Sequence, residues 1–426
     1  MPGFDDPAAA VAWLRSPAAI RERCGIVLAA ARDDNLEHFA LHPERLEPTA
    51  GYVAETIAAN YPDLEVPTHS RWRHFAVGGR DRWAGLAARL DGLSGEKVGR
   101  EAVARIRFDL AITSVLLDAG AGADWRYREP ASGEIYARSE GLAVASFELF
   151  ASGAFSSDPA RPLRADAAAL AGMTEARLAE AFQAGPDNLL VGLEGRAALL
   201  RDLGAALEAA PALFGAQAPR VGNLFDHLAR DAGPGGVSAA AILGVVLTGL
   251  GPIWPGRIAL GGINLGDVWR HPAVATGDPT EGLTGGLTEG LVPFHKLSQW
   301  LTYSLIEPLE DAGLAVTGVA ALTGLAEYRN GGLLVDLGVL EPRHPGVLGE
   351  THEAGSELVV EWRALTVALL DELAPLVCAR LGKSAAEWPL PKVLEGGTWS
   401  AGRRIARERR PGGGPPISVA SDGTVF

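Results

Sequence analysis

The stretch REAVARIRFDLAITSVLL, Arg100–Leu117, decides the fold class of this chain. Apolar or small side chains recur in it at nearly the spacing of one face of an α-helix: Val103, Ile106, Leu110, Ser114 and Leu117. Gly120 follows as a suitable stop, because glycine is common just after the last helical residue. The stretch therefore predicts a long helix with one face toward a core.

Helix signals recur outward from this stretch in both directions. Asp6 before Pro7 and Ser16 before Pro17 are typical of an N-cap followed by proline at the first helical position. Two further stretches are long and rich in helix formers, and one pair has the spacing of a capping box: Leu189–Ala209, Glu357–Leu381, and Ser384 with Glu387.

Strand signals are few and short. They cover three segments: Ala315–Val319, Leu333–Leu340 and Ile417–Ala420. The sequence therefore predicts a mainly α protein with a small β element in its C-terminal third. We expect a single large domain, 1–426, with a sub-boundary near residue 251. Upstream, residues 1–251 are alanine-rich and helical, whereas residues 252–426 contain more Gly and Trp and carry most of the polar candidate segments.

Composition excludes several classes of protein. The 426 residues include 38 Lys and Arg against 52 Asp and Glu, a net charge of −14, and a duplex-binding protein needs a basic surface instead. Two cysteines, Cys24 and Cys378, are too few for a disulfide framework. The N-terminal residues lack the pattern of a signal peptide, and the apolar stretch Val237–Leu250 is too short to span a bilayer. We expect a cytoplasmic protein without a nucleic-acid or membrane partner.

Common catalytic motifs fail. Gly382-Lys383-Ser384 resembles the end of a phosphate-binding P-loop, but Val377 occupies the position of its leading glycine. A dinucleotide fingerprint starting at Gly120 has Trp125 at its third glycine position. The nine histidines are scattered, without the spacing of a metal cage. We therefore expect no cofactor and no resident metal.

Several segments mix aromatic, charged and glycine residues more densely than a plain core does. These segments are Ser70–Asp81, Leu117–Tyr127, Leu265–His271, Pro293–Ser304, Leu325–Gly332, Val359–Arg363 and Leu394–Arg403. A buried charge is unfavourable unless it is paired, so such segments suggest a closed polar site, with paired structural charges as the alternative reading. Within them we expect ion pairs that join Glu327 or Glu361 to Arg329 or Arg363.

One helix face in these segments is unusual. Lys296, Trp300, Tyr303 and Glu307 share it, which favours the wall of a pocket, with a buried packing face as the alternative. The terminal segment Ser421–Phe426 ends in an apolar dipeptide, which suggests a tail folded back on the protein, with fraying as the alternative.

Taken together, the segments resemble the family of uracil catabolism protein four of yeasts, over nearly the whole chain. The resemblance rests on RWRHF at Arg71–Phe75, SVLLDAGAG at Ser114–Gly122, PFHKLSQWLTYS at Pro293–Ser304, EYRNGG at Glu327–Gly332, EWRALT at Glu361–Thr366, LEGGTW at Leu394–Trp399 and the terminal SDGTVF. At the level of fold there is also a faint resemblance to the helical nucleotide N-glycosidases of queuosine salvage.

The resemblance implies a metabolic context. Related proteins accompany a uracil phosphoribosyltransferase and a cyclohydrolase-like enzyme, in a pathway that ends in urea and a three-carbon acid. If the ring opens while it is still attached to ribose 5-phosphate, the remaining step is hydrolysis of the N-glycosidic bond of a ribosylurea phosphate. The expected partners are thus a small phosphorylated nucleoside-like substrate and the other enzymes of the pathway. The alternative is a protein that binds a nucleotide or escorts one of those enzymes without catalysis.

Hydrolysis of an N-glycoside needs a carboxylate near C1′, a way to activate water and a proton donor for the leaving nitrogen. The candidate carboxylates, with the first two preferred, are Glu327, Asp118, Asp336, Glu361 and Asp267. The candidates for binding the phosphate or covering the substrate are Arg71, Arg73, His74, His295, Lys296, Trp300, Tyr303, Tyr328, Arg329, Asn330, Arg363, Trp399 and Arg403.

Overall fold

A computed structural model describes residues 4–94, 98–122, 124–255, 257–275 and 286–420. It is 57% helical and 9% strand, which confirms the mainly α class. The α-helices are α1 Pro7–Leu14, α2 Pro17–Arg32, α3 Leu46–Asn60, α4 Arg71–Phe75, α5 Arg82–Ala87, α6 Leu90–Ser94, α7 Arg100–Leu116, α8 Arg138–Ala151, α9 Ala167–Ala171, α10 Glu175–Ala181, α11 Leu193–Ala209, α12 Pro211–Phe214, α13 Asn223–Asp231, α14 Ala239–Leu250, α15 Lys296–Asp311, α16 Tyr328–Asp336, α17 Gly346–Gly349, α18 Glu357–Arg380, α19 Leu390–Val393 and α20 Trp399–Arg409.

The predicted helix starts are confirmed by their hydrogen bonds. The Asp6 carboxylate accepts from the N–H groups of Ala8 and Ala9, and the Ser16 hydroxyl accepts from Ala19. Ser384 and Glu387 make the reciprocal bonds of a capping box, yet the chain there forms only turns.

The strands form two-stranded sheets that begin as early as residue 39. Antiparallel pairs join β1 Phe39–Leu41 to β10 Leu340–Pro342, β2 Arg126–Arg128 to β3 Ile135–Ala137, β5 Ala259–Leu260 to β6 Ile263–Asn264, and β7 Val268–Arg270 to β8 Leu291–Pro293. Parallel pairs join β4 Val237–Ser238 to β9 Val316–Thr317, and β11 Thr351–His352 to β12 Ser418–Val419.

Two of the three predicted strands, those near residues 316 and 418, are confirmed, but a strand over Leu333–Leu340 is wrong. The first half of that stretch, Leu333–Asp336, lies in α16, whose first backbone N–H groups are capped by Glu327. A short apolar run between glycines has no periodicity that separates a strand from a buried helix. The Glu327 cap at the N-terminal side of this run stabilises the helix rather than a strand.

The chain divides into two compact units, each built from separated parts of the sequence. The first unit takes the described residues within 1–69, 256–299 and 319–420, and the second those within 70–255 and 300–318. The expectation of a single domain with a sub-boundary near residue 251 stays a prediction, because compactness does not say whether either unit folds alone.

Helix α18 forms the centre of the first unit. Nearly every residue from Leu358 to Leu370 is buried, and α18 packs against α2, α3 and α16. A helix that is buried on all sides is a core helix, so its buried charged side chains, Glu361 and Arg363, must find partners inside the protein. At one side of this unit, α1 packs Val11 and Leu14 against Leu265, Val268 and Leu291, which fixes the β7–β8 hairpin.

Helix α7 forms the centre of the second unit, as α18 does in the first. Its residues from Arg107 to Leu116 are buried, and it packs against α4, α8, α11 and α13. It ends before Gly120, where the fully buried Arg196 of α11 donates to the carbonyl groups of Leu117, Ala119 and Gly120. Arg196 thus satisfies carbonyl acceptors of the buried segment that directly follows α7.

Two further expectations concern the membrane and the terminal tail. Within the described parts of the chain, no helix has both the length and the apolar character to cross a bilayer. The tail predicted to fold back, Ser421–Phe426, lies outside the described residues.

Candidate functional site

The predicted site residues fall into both units. The first unit contains Asp267, His295, Lys296, Glu327, Tyr328, Arg329, Asn330, Asp336, Glu361, Arg363, Trp399 and Arg403. The second unit contains Arg71, Arg73, His74, Asp118, Trp300 and Tyr303.

In the first unit, the ends of the β7–β8 hairpin bring Asp267 beside Lys296. Asp267 directly precedes β7, and its carboxylate accepts from the Lys296 backbone N–H at 3.0 Å and from the Trp269 indole at 2.7 Å. Arg363 on α18 completes the group, because its two terminal nitrogens each lie 2.8 Å from one carboxylate oxygen of Asp267. Such a fork-to-fork pair is the strongest type of arginine–carboxylate contact.

These contacts decide the protonation state of Asp267. Burial alone would raise the pKa of this carboxyl, but the Arg363 charge and the donated hydrogen bonds outweigh burial and hold the pKa well below its usual range. Asp267 is therefore ionised at neutral pH, with its oxygens already occupied by donors. The expected ion pair is thus corrected: the carboxylate that Arg363 contacts is Asp267, and not Glu327 or Glu361.

Glu327 has the opposite character. It is the N-cap of α16, where its two carboxylate oxygens accept from the backbone N–H groups of Asn330 at 2.6 Å and Arg329 at 2.8 Å. Burial raises the pKa of Glu327, although those two N–H groups and the charges of Lys296 and Arg329 act against it. Glu327 keeps some exposure to solvent. It is therefore a carboxyl with a raised pKa at a helix start that solvent can reach.

Arg363 connects the two carboxyl groups. Besides its contact with Asp267, its Nε donates to the carbonyl of Ala326 at 3.3 Å, one residue before Glu327. The guanidinium lies over the Phe294 ring at 4.1 Å, so its face is covered by carbon while its edge is held by oxygen. The side chain of Arg363 is about 1% exposed, so it stabilises this region from inside the protein by connecting the segments of Asp267 and Ala326.

The start of α20 adjoins the start of α16. Asn330 accepts from the Thr398 hydroxyl at 2.8 Å, and Gly402 packs so closely on the Arg329 carbonyl that a Cβ there would overlap it. Glycine at 402 is required by this close approach. The contact brings Trp399 and Arg403, both partly exposed, to the same end of α16 as Glu327. The Arg403 guanidinium lies 4.7 Å from the centre of the Trp399 ring. We call Asp267, Lys296, Glu327, Arg363, Trp399 and Arg403 the Glu327 site.

Sequence reasoning missed two polar residues beside this site, His69 and Glu395. The His69 Nδ1 atom lies 2.6 Å from a Glu395 oxygen, both side chains are nearly buried, and the His69 ring lies 6.2 Å from that of Trp399. Glu395 belongs to a π-helical turn, Leu394–Thr398, a rare conformation that is frequent at functional sites. The glycines in Leu-Glu-Gly-Gly-Thr-Trp were the available signal, whereas His69 stands alone in the sequence.

His295 has an internal role. Its backbone is left-handed, with φ of 47°, and its Nε2 lies 3.0 Å from the Leu14 carbonyl oxygen, to which it donates. Burial lowers the pKa of His295 to about 4, and the nearby Asp267 charge offsets only part of this effect. His295 is thus neutral at pH 7 and ties the hairpin to α1.

The other predicted residues of the first unit are held by contacts within it. Asp336 makes a two-pronged ion pair with Arg410, with both distances 2.6 Å. Arg329 is buried and donates to the Gly413 carbonyl, and its guanidinium lies over the Tyr328 ring at 5.0 Å. Glu361 accepts from two backbone N–H groups at the start of β1, and with His271 and Glu357 it forms a group able to ligate a metal.

In the second unit, Arg71 and Asp118 form a buried ion pair. The Arg71 side chain is inaccessible to solvent and lies 2.6 Å from Asp118, while its Nε donates to the Ser114 hydroxyl at 2.7 Å. Burial lowers the pKa of Arg71, and the Asp118 charge opposes that effect. The rings of Trp300 and Phe75 cover the guanidinium at 5.5 and 5.8 Å.

Of the remaining predicted residues of this unit, Arg73 pairs with Glu307, a carboxylate on the same helix face as Trp300 and Tyr303. Glu307 accepts from Arg73 at 2.6 Å and from the Ser70 hydroxyl at 3.0 Å. The ring of His74, which is mostly buried, stands edge-on to Trp300 at 5.6 Å, and Tyr303 is fully buried. The face predicted as a pocket wall therefore packs against protein at Trp300 and Tyr303.

Fold and contacts together define a mainly α protein in which polar segments pair arginines with carboxylates inside each unit. The chain belongs to the family described as "Protein of unknown function (DUF1688)", whose model matches residues 13–426. The resemblance inferred from the sequence motifs is confirmed at the level of family.

Two relatives match nearly end to end. The chain is 39% identical over 421 residues to "Protein urg3" of Schizosaccharomyces pombe, covering 98% of this chain and 99% of that protein. It is 36% identical over 444 aligned positions to "Uracil catabolism protein 4" of Lachancea kluyveri, again covering 98% of this chain and 99% of that protein.

Proposed function

We propose that this protein acts in uracil catabolism, the process that gives its Lachancea kluyveri relative its name, and that it is an N-glycosidase. The proposed reaction adds water across the bond between C1′ and nitrogen of a ribosylurea phosphate. The C1′–N bond breaks, the water oxygen joins C1′, and one proton reaches the leaving nitrogen. The products are urea and ribose 5-phosphate.

The observation that carries the proposal is the environment of Glu327. A general acid must keep its proton near neutral pH and must still reach the substrate, and Glu327 combines a raised pKa with partial exposure. We assign it the proton that goes to the leaving nitrogen. General acid–base catalysis contributes about 10²- to 10⁴-fold to a rate.

The neighbours of Glu327 have separate parts in this proposal. Asp267 is occupied by four donated hydrogen bonds, so we assign it to holding Lys296 and Arg363 in place rather than to reacting with C1′. Lys296 and Arg403 are partly exposed cations and are our candidates for the 5′-phosphate, while Trp399 offers an aromatic face to the substrate.

Asp118 remains the second candidate carboxylate. Its ion pair with Arg71 favours the ionised form, the form able to stabilise positive charge that develops on the sugar ring. Arg71 itself is too buried to be our choice for the phosphate.

The test is urea release by the purified protein from chemically prepared ribosylurea 5-phosphate. Ribosylurea without phosphate and uridine monophosphate are the control substrates. We expect urea from the phosphorylated compound, and much less from ribosylurea. Saturable binding without urea release would favour the alternative, a nucleotide-binding or escort protein, and the absence of both would contradict this substrate.

Variants at position 327 separate catalysis from helix capping. Glu327→Ser keeps a good N-cap and Glu327→Gln keeps the shape, but both remove the ionisable group. We expect both to fold with near-normal stability and to lose about 10²-fold or more in kcat. Asp118→Asn tests the second candidate in the same assay. Normal urea release by Glu327→Ser would refute the role of Glu327.

A further inference from the structure

A second group of ligand-type side chains lies in the first unit, apart from the residues assigned to the reaction. It consists of His271, Glu357 and Glu361, whose nearest ligand atoms all lie within 4.8 Å of one another. His271 begins the turn after β7, whereas Glu357 and Glu361 lie one turn apart at the start of α18. The i, i+4 spacing turns both carboxylates to the same side of that helix.

Two atoms of this group lack the hydrogen bonds that burial demands. The Glu361 side chain is 0% exposed and the His271 side chain 1% exposed, yet Oε2 of Glu361 and Nε2 of His271 make no hydrogen bond with any described residue. Buried polar atoms almost always have a partner. The other Glu361 oxygen is satisfied, since it accepts from the N–H groups of His38 and Phe39. The unsatisfied atoms therefore face each other across the group.

The separation of these two atoms fits a shared ion better than a direct contact. They lie 3.6 Å apart, which is beyond hydrogen-bond range. Two ligands bound to one tetrahedral ion at about 2.1 Å each are separated by about 3.4 Å. A cation would also compensate the charges of two carboxylates brought close together, which otherwise repel each other.

We propose that His271, Glu357 and Glu361 bind a divalent transition-metal ion, with Zn²⁺ as the representative case. One imidazole nitrogen and two carboxylate oxygens are a ligand set that zinc accepts, and the imidazole disfavours Mg²⁺ and Ca²⁺. Glu357 also lies within 4.8 Å of ligand atoms of Glu37 and His38, so a further donor stands beside the site.

Binding through Nε2 has one structural consequence. In the structure described, Nδ1 of His271 accepts from the Ala273 N–H at 3.2 Å, which leaves the ring proton on Nε2. A neutral histidine that ligates through Nε2 carries its proton on Nδ1. The Ala273 bond is therefore released when the metal binds, and a single backbone bond of this length is weak beside metal ligation.

The site ties distant parts of the first unit together. Its ligands come from the turn after β7 and from the central helix α18, and Glu361 already holds the start of β1. We therefore expect the ion to stabilise the fold, independently of whether the protein releases urea. Metal binding that requires the folded state adds directly to folding stability.

The experiment uses the full chain purified without a polyhistidine tag. After removal of metal with a chelator, the protein is dialysed against Zn²⁺, Mn²⁺ or Mg²⁺, the bound ion is counted by mass spectrometry, and the melting temperature is measured. We expect about one Zn²⁺ per chain, an increased melting temperature and no retained Mg²⁺.

Three variants make this test specific. His271→Asn keeps an acceptor for the Ala273 N–H but removes Nε2, and Glu357→Gln changes a partly exposed ligand with little risk to folding. His352→Asn is the matched control, since its Nε2 contacts the Val347 carbonyl instead. We expect the first two to lose both the bound ion and the thermal shift, and the control to keep both. Equal Zn²⁺ binding by all three, or none by the unaltered protein, would overturn the proposal.

Discussion

Acid should destabilise this protein through one histidine, His295. Its pKa is about 4 in the folded protein against 6.5 for an unperturbed histidine, a difference of about 2.5 units. Because the folded pKa is the lower one, the unfolded chain takes up the proton first on acidification. The contribution of the neutral His295 to the free energy of unfolding is therefore fully present above about pH 6.5, and it is lost as the pH falls toward about 4. At about 1.36 kcal/mol per unit, the loss is about 3 kcal/mol.

The perturbation that isolates this effect is His295→Asn. Asparagine tolerates the left-handed backbone at this position and does not titrate. The assay is the free energy of unfolding by urea, measured for both proteins at about pH 7 and about pH 4. We expect the unaltered protein to lose about 3 kcal/mol more than the variant over this interval. Nearby Asp267, Arg15 and Arg363 are present in both proteins, so their own contributions largely cancel. Equal losses would refute the assignment of a buried neutral imidazole.

Three further predictions concern packing and burial. Gly402→Ala should lower the free energy of unfolding by about 1–3 kcal/mol, because the added Cβ overlaps the Arg329 carbonyl. Gly25→Ala in α2, where the added Cβ meets open space, should instead raise it by about 0.5–1 kcal/mol. Urea unfolding measures both variants, and equal effects would contradict the close approach at Gly402. Arg196→Met should cost at least about 2 kcal/mol in the same assay, since it leaves carbonyl groups of the segment after α7 unsatisfied. A neutral result would contradict this role. Burial raises the pKa of both Cys24 and Cys378, so a thiol reagent should label neither quickly in the native protein and both after denaturation; rapid native labelling would show that they are accessible.

Much of the helical framework could be predicted because its signals are local. The N-caps Asp6 and Ser16 and the long runs that became α7, α11 and α18 depend on residues within a few positions of each other. The wrong strand over Leu333–Leu340 marks the limit of that reasoning. Its apolar run is compatible with either element, and glutamate is not among the usual N-cap residues, so the sequence does not indicate the Glu327 cap.

The identity of the family could also be predicted, since long motifs such as Pro293–Ser304 and Glu327–Gly332 need no coordinates to be matched. The types of residue at the candidate site could be named for the same reason. Charges next to aromatics and glycines are visible in the sequence, and burial makes such charges depend on partners.

The partners themselves depend on the tertiary structure. Sequence proximity suggested Glu327 or Glu361 for Arg363, but the β7–β8 hairpin and α18 deliver Asp267, which is 96 positions away. Likewise, no spacing in the sequence brings His271 to Glu361, or His69 to Glu395. The sequence by itself thus determined the helices, the family and the kinds of polar group present. Which charge meets which, and so whether burial raises or a neighbouring charge lowers the pKa of a carboxyl, was decided by the packing of distant elements, because burial and charge act through space rather than along the chain.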